Sequence, residues 1–418
     1  MALTRMVVLA FAILLSGTRA TNGQQPAAVA TLVQDPVVKA ALAVAKDTEA
    51  RTIEDQIRFC EVPAPPFKEA ARGEVLRREF AGLGLQNVRV DRVGNVLGDR
   101  PGGAARPRVV IAAHLDTVFP EETNVKVSRE GSTLRGPGIG DDCRGLAVMT
   151  AIIRSMREAN VQTAGTVTFV ANVGEEGLGD LRGMKALFGE TMKGQIDRFV
   201  SIDGTGLHVT TVAVGSHRYR VTFKGPGGHS YGAFGLASPI HALGRAVAKI
   251  AEFQVPQHPR TTFTVGRIGG GTSVNSIAFD AWMEVDMRSP SPSALANLDA
   301  RFQDAVDAAA REENSRWGKP GVITVVKELV GDRPAGEAPE GSPIVQTALA
   351  VGRTLGLPVG LGEGSTDANI PISLNIPAIT IGGGGRGADA HALTESFDTT
   401  DAWKGAQNAL LLTIALAR

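Results

Sequence analysis

Cysteine is almost missing from this chain, with two residues in 418. Two cysteines cannot build a disulfide scaffold, a chain of this length needs none, and no bridge between Cys60 and Cys143 is expected. Aromatic residues make up only 5% of the sequence, too few for a platform on which nucleobases stack. Neither sign of charge is in excess, with 43 Lys and Arg against 43 Asp and Glu. A polyanion binder carries a basic surplus, so nucleic acid is not an expected partner. No apolar run reaches the ~20 residues that cross a bilayer, so a membrane is not expected either. The apolar run from Met6 to Leu15 follows an early arginine and leads into Ser16-Gly17-Thr18-Arg19-Ala20. That is the pattern of a secretory signal peptide over residues 1–20, and it implies export to the periplasm or the medium.

Glycine, by contrast, is abundant at 50 residues and follows no three-residue period, which implies many tight turns. The 43% hydrophobic and 21% charged fractions are those of a globular chain, and the length suits two or three domains. Residues 21–35 read as a flexible, polar lead-in. Helical patterns follow over 36–59 and 69–80, separated by Pro63-Ala64-Pro65-Pro66. Residues 108–116, 166–172 and 198–203 are apolar on both faces, as strands buried inside a parallel sheet are. They alternate with a helix at 145–156, so the expected class is α/β, a mostly parallel sheet covered on both faces. Between 215 and 326 the pattern changes to strand–helix–strand–strand–helix–strand, the ferredoxin-like order of a compact inserted domain. Residues 36–214 and 327–418 then make up the domain into which it is inserted.

Chemistry gathers where the buried strands end. His114 and Asp116 close the first of them, two residues apart and therefore on one face. Asp141-Asp142 lies among glycine turns just before a helix. Glu175-Glu176 follows the second strand, Asp203 ends the third, and His391 follows the glycine-rich turn at 382–387. Two adjacent glutamates at a strand end repel each other unless a cation or a shared proton holds them. His114, Asp141, Glu176, Asp203 and His391 together offer five imidazole or carboxylate donors, a set that suits Zn2+, with Co2+ or Mn2+ as alternatives. Five donors exceed what one catalytic zinc takes, but with a bridging aspartate they serve two. Glu175 is left over beside them, placed as a general base. No Gly-x-Ser-x-Gly elbow is present for a serine nucleophile.

In this combination the chain resembles the co-catalytic dizinc hydrolases that include peptidase T, carboxypeptidase G, aminoacylase and the acetylornithine and succinyl-diaminopimelate deacylases. The resemblance runs from about residue 40 to the C-terminus. It implies that His114 and Asp203 hold one zinc, Glu176 and His391 the other, and that Asp141 bridges. Asp116 would orient His114, and Glu175 would be the base. Lys224-Gly225-Pro226-Gly227-Gly228-His229-Ser230 resembles the family element whose histidine reaches into the partner subunit's site, which implies a homodimer through the inserted domain. Asn275 resembles a second element given to that site. Ser365 and Thr366 match a pocket-lining loop, and Arg288 and Arg333 are candidates for gripping a substrate carboxylate. Cys143 departs from the family, which commonly has lysine or another polar residue there, and a packing role is expected for it. Asp203 stands where the family has Asp or Glu. Asp accompanies its aminopeptidases and dipeptidases, which favours short peptides as substrates. The rival readings are an N-acyl-amino-acid amidohydrolase or a carboxypeptidase on the same scaffold, and a binding protein without catalysis.

Overall fold

A computed structural model describes residues 24–317 and 322–418, so the expected signal peptide lies outside the described residues. Strand Thr166–Asn172 is buried at every position, and Arg108–His114 at all but its first. Strands without a solvated face must have neighbours on both edges and cover above and below. Arg108–His114 runs parallel between Thr166–Asn172 and Arg198–Ile202, and Ala378–Ile381 extends the parallel run beyond Arg198–Ile202. Antiparallel strands Val96–Arg100 and Gln86–Val90 flank one side. On the other side His208–Ala213 pairs antiparallel with Ala378–Ile381, and then with Gly336–Glu337 antiparallel and Gly360–Gly364 parallel. Helices Ala70–Gly82, Cys143–Glu158, Pro343–Thr354 and Trp403–Leu416 pack against this nine-stranded sheet and share one apolar core with it.

A second sheet is built from the segment between. Gly215–Lys224 lies between Asp280–Ser289 and Thr324–Arg333, with Thr262–Gly270 outermost beside Asp280–Ser289, all antiparallel. Asp280–Ser289 alternates between buried and half-buried residues, as a strand with one covered face does. Helices Pro239–Ala251 and Pro292–Arg316 supply that cover, closing a separate core around Val221, Phe223, Met283, Val285 and Phe302. The chain is therefore α/β, with a mostly parallel sheet and an inserted ferredoxin-like unit.

The structure differs from the sequence reading at the N-terminus. In place of a flexible lead-in, residues Gln24–Leu32 form a helix whose Val29 and Leu32 are buried where it packs on helix Pro343–Thr354. Only these two apolar side chains, one turn apart, signal it, and an Ala/Gln-rich stretch hides so short a stripe. Strands Val96–Arg100 and His208–Ala213 were also not expected, because charges, threonines and a glycine break their apolar pattern. Among the described residues, no helix is long and apolar enough to cross a membrane.

Candidate metal centre

The parallel strands deliver their C-terminal ends to one edge of the sheet, where open α/β folds place ligands. His114 is the last residue of its strand and only 1% exposed. Its Nε2 lies 3.0 Å from Asp141 Oδ1 and 3.9 Å from Asp203 Oδ1. Asp203 directly follows strand Arg198–Ile202, its backbone N–H donating to Ile381 carbonyl at 2.9 Å. The second oxygen of Asp141 lies 3.2 Å from His391 Nε2, and that same nitrogen lies 3.0 Å from Glu176 Oε1. Two imidazoles thus face the two oxygens of one carboxylate, each with a further acid beside it. His391 sits in the loop between strands Arg386–Ala388 and Ser396–Asp398 with a left-handed backbone, φ 66°, and is 52% exposed.

The two adjacent aspartates have separate work. Asp142 caps helix Cys143–Glu158, accepting from the Gly145 N–H at 3.0 Å, and its other oxygen accepts from the His114 N–H at 3.1 Å. Asp141 is left for the cavity. Asp116 was expected to orient His114, and it meets the ring through its main-chain oxygen, with its carboxylate oxygen 3.8 Å from His114 Nδ1. His114 Nδ1 lies 2.9 Å from the main-chain oxygen of Asp116, while the Asp116 carboxylate accepts from the N–H groups of Glu175 and Glu176, at 3.0 and 2.8 Å. Asp116 fixes the turn that presents both glutamates, which a reading of strand alternation does not show.

Arg333 is also engaged differently from the expectation. It is buried, its Nη1 donating to Glu175 Oε1 at 3.0 Å and to Ser365 Oγ at 3.2 Å, and its Nη2 to the Glu175 carbonyl. It holds Glu175 and is not a free fork for a substrate carboxylate. Arg288 is half exposed and paired with Asp286 at 2.7 Å. Asp141, Glu175, Glu176, Asp203 and His391 share a cavity of about 440 Å3 with Arg288, Arg333, Ser365 and Thr366. Arg218 and His208 line it as well and were missed. Arg218 reads as one polar position of an alternating strand, and His208 opens a strand that the sequence did not reveal, so nothing in the sequence marks them. Glu395 was missed too. Its buried carboxylate accepts from the N–H groups of Gly138 and Gly140, both at 2.8 Å, and of Asp141 at 3.1 Å, holding the loop that carries Asp141.

His229 and Asn275 are placed together but away from this cavity. Strand Gly228–His229 pairs with Ser276–Ile277, and the Ser230 N–H donates to Asn275 carbonyl at 3.0 Å. Neither residue lines the cavity within one chain.

The electrostatics of the cluster are those of crowded acids. Burial, and then the hydrogen bond to His391 and the charge of Glu175, leave Glu176 raised to about 7. Burial and the Asp141 charge push Asp203 up as well. Burial alone would raise Asp141, but its hydrogen bonds with His114 and His391 outweigh this and hold it well below the usual carboxylate range. Hydrogen bonds to Asp141 and Glu176 lift His391 to about 10. Divalent cations between these groups would relieve the repulsion. Among the described residues, three sets of side chains have donor atoms close enough to share an ion: His114, Asp142 and Asp203; His114, Glu175 and Glu176; and Asp141, Glu176 and His391. Asp142 is committed to backbone N–H groups, which leaves Asp141 as the carboxylate between the two histidines. Nitrogen and oxygen donors without thiolate fit zinc and its neighbours.

Residues 110–414 match the model of peptidase family M20/M25/M40. The chain is 27% identical over 316 residues to carboxypeptidase G2 of Pseudomonas sp. (strain RS-16), covering 72% of each chain. Its fold is similar to that of a tripeptidase from Staphylococcus aureus (TM-score 0.73, 23% identity, 88% of this chain and 99% of that one). It is also similar to the YXEP protein of Bacillus subtilis, described as a dinuclear metal-binding peptidase (TM-score 0.64, 16% identity, 89% and 99%). With the family model covering most of its length, the chain belongs to peptidase family M20/M25/M40 and is a metal-dependent hydrolase.

Proposed function

We propose that the protein is an exported dizinc peptidase that cleaves short peptides, as an aminopeptidase or a di- or tripeptidase. The observation that carries this reading is the pair of imidazoles on opposite oxygens of Asp141, 3.0 and 3.2 Å away. His114 and Asp203 would hold one cation, His391 and Glu176 the other, with Asp141 between them. When bound, such a pair supplies the Lewis acidity that polarises an amide carbonyl and acidifies a water. Co2+ or Mn2+ would fit the same donors.

Glu175 does the proton work in this reading. Its carboxylate stands in the cavity beside the five donors, takes a proton from the attacking water, and passes it to the leaving nitrogen. Arg333 fixes one of its oxygens, and Asp116 fixes its backbone. Arg288, Ser365 and Thr366 line the same cavity, where Arg288 can draw a substrate carboxylate and the two hydroxyls can hold the peptide backbone. His229 would come from a second copy of the chain to stabilise charge on the scissile oxygen. In support, the segments around His229 and Asn275 carry exposed apolar residues, with Tyr231 90%, Phe234 78% and Val274 102% exposed. Such a patch suits a homodimer contact.

An N-acyl-amino-acid amidohydrolase or a carboxypeptidase is the second reading, favoured by the similarity to carboxypeptidase G2. The discriminating experiment is turnover on a panel of free dipeptides, tripeptides, N-acetylated amino acids and N-blocked peptides. Cleavage of free di- and tripeptides with kcat/KM at least tenfold above the blocked substrates supports the proposal. Preference for the blocked substrates overturns it in favour of the second reading. Intact donors together with Glu175 argue against a binding protein without catalysis.

A further inference from the structure

The two cysteines, 83 positions apart, meet in the folded chain. Cys60 ends helix Glu49–Cys60 and Cys143 begins helix Cys143–Glu158. Both are fully buried as free thiols in one small apolar cluster with Ile53, Leu134, Ile139, Phe397 and Ala402. Both also touch the loop that carries Asp141. The Cys60 thiol donates to the Pro137 carbonyl at 3.4 Å, and the Cys143 N–H donates to the Gly138 carbonyl at 3.2 Å. A third tie comes from the same helix as Cys60, where Gln56 Nε2 donates to the Ile139 carbonyl at 2.7 Å.

Against the expectation from the sequence, and resting on the proposed export, we infer that Cys60 and Cys143 form a disulfide in an oxidising compartment, a covalent staple beneath the Asp141 loop. Any two thiols placed at random in a chain of this size rarely meet, and these are the only two present. The exchange balances with a disulfide oxidant, either a small-molecule disulfide such as oxidised glutathione or a protein oxidant. One cysteine sulfur attacks the oxidant's disulfide and releases one thiol. The second cysteine then attacks the mixed disulfide and releases the other thiol, so two protein thiols become one disulfide and the oxidant becomes two thiols. Because both sulfurs are buried once the chain is folded, the bond forms during folding. It closes a long loop of the unfolded chain, where cross-links remove most disorder. The inference does not depend on the proposed hydrolytic mechanism or on which metal is bound.

The test refolds the full chain with its metals in a glutathione redox buffer and then blocks free thiols with N-ethylmaleimide in denaturant. The expected result is a mass about 2 Da below the reduced chain with no label, and two labels only after prior reduction. Thermal unfolding of the oxidised chain should come roughly 2–5 °C above that of the reduced chain. A Cys60→Ala, Cys143→Ala double variant should show no such difference between oxidising and reducing buffer. Two labels per chain in active protein refolded with oxidised glutathione would overturn the inference, as would disulfide-linked pairs of chains. If the double variant does not fold, labelling of the unaltered chain alone decides.

Discussion

At the scale of single residues, the proposed function rests on which carboxylate would hold a cation and which would move a proton. Asp141 is shared between two imidazoles, whereas Glu175 is held by Arg333 beside them. Glu175→Gln should therefore keep its metal content and lose turnover by about 10²- to 10⁴-fold, checked by metal analysis and steady-state rates on one preparation. Protons should also be released on metal loading. Hydrogen bonds to Asp141 and Glu176 raise His391 to about 10, so without a cation it is protonated at pH 7; burial raises Glu176 to about 7, so it is half protonated there. In the proposed site both must lose their protons to bind, and His114 and Asp203 are raised as well. At least one proton should therefore leave per chain at pH 7, and metal affinity should weaken as pH falls below about 10 and more steeply below about 7. Calorimetry in two buffers of different ionisation enthalpy measures this. The donors were legible in the sequence because each follows a buried strand or a glycine turn. Glu395 and the true partner of Arg333 were not, because an acid whose carboxylate meets backbone N–H groups from 254 to 257 positions away leaves no local mark.

At the scale of elements, helix Cys143–Glu158 and its cap aim the centre. Gly145 lies so close to the Asp142 carboxylate and the Ile202 carbonyl that an added Cβ would come within 2.3 to 2.4 Å of them. Gly145→Ala should displace the cap and with it the backbone of His114 and Asp141, lowering both metal content and stability. Arg144, the next residue back, is fully buried. Its guanidinium pairs with Glu49 at 3.0 Å and donates to the carbonyls of Gly383 and Ala402 at 2.8 and 2.6 Å. Arg144→Met would leave Glu49 and two carbonyls unpaired inside the protein, a loss of about 3–5 kcal/mol by urea denaturation. The buried strands and this helix were visible as apolar runs of characteristic length. The glycine-rich strand Gly360–Gly364 was not, because its strand form comes from pairing with His208–Ala213 and not from its own residues.

At the scale of the whole molecule, the inserted sheet carries Arg288 and Arg333 into the cavity but leaves His229 outside it. If a second copy supplies His229, mixing and re-associating inactive His229→Ala and Glu175→Gln chains should recover activity. One of the two sites in each mixed dimer is then complete, giving about a quarter of the unaltered rate for an equal mixture. No recovery would contradict donation of His229 by a second copy, and an active His229→Ala chain would place His229 outside the reaction. The change from a parallel to an antiparallel pattern near residue 215 was readable, whereas the exposed apolar segments beside His229 gain meaning only from their position on the fold.

The most direct test of the account counts divalent metal ions per chain by mass spectrometry and measures turnover on the same samples of the unaltered protein and of Asp141→Asn. The account predicts two ions per chain and full turnover for the former, with at least one ion lost and turnover collapsing for the latter. An unaltered chain that turns over substrate after chelation to metal-free state, or an Asp141→Asn chain that keeps both ions and its rate, would contradict it.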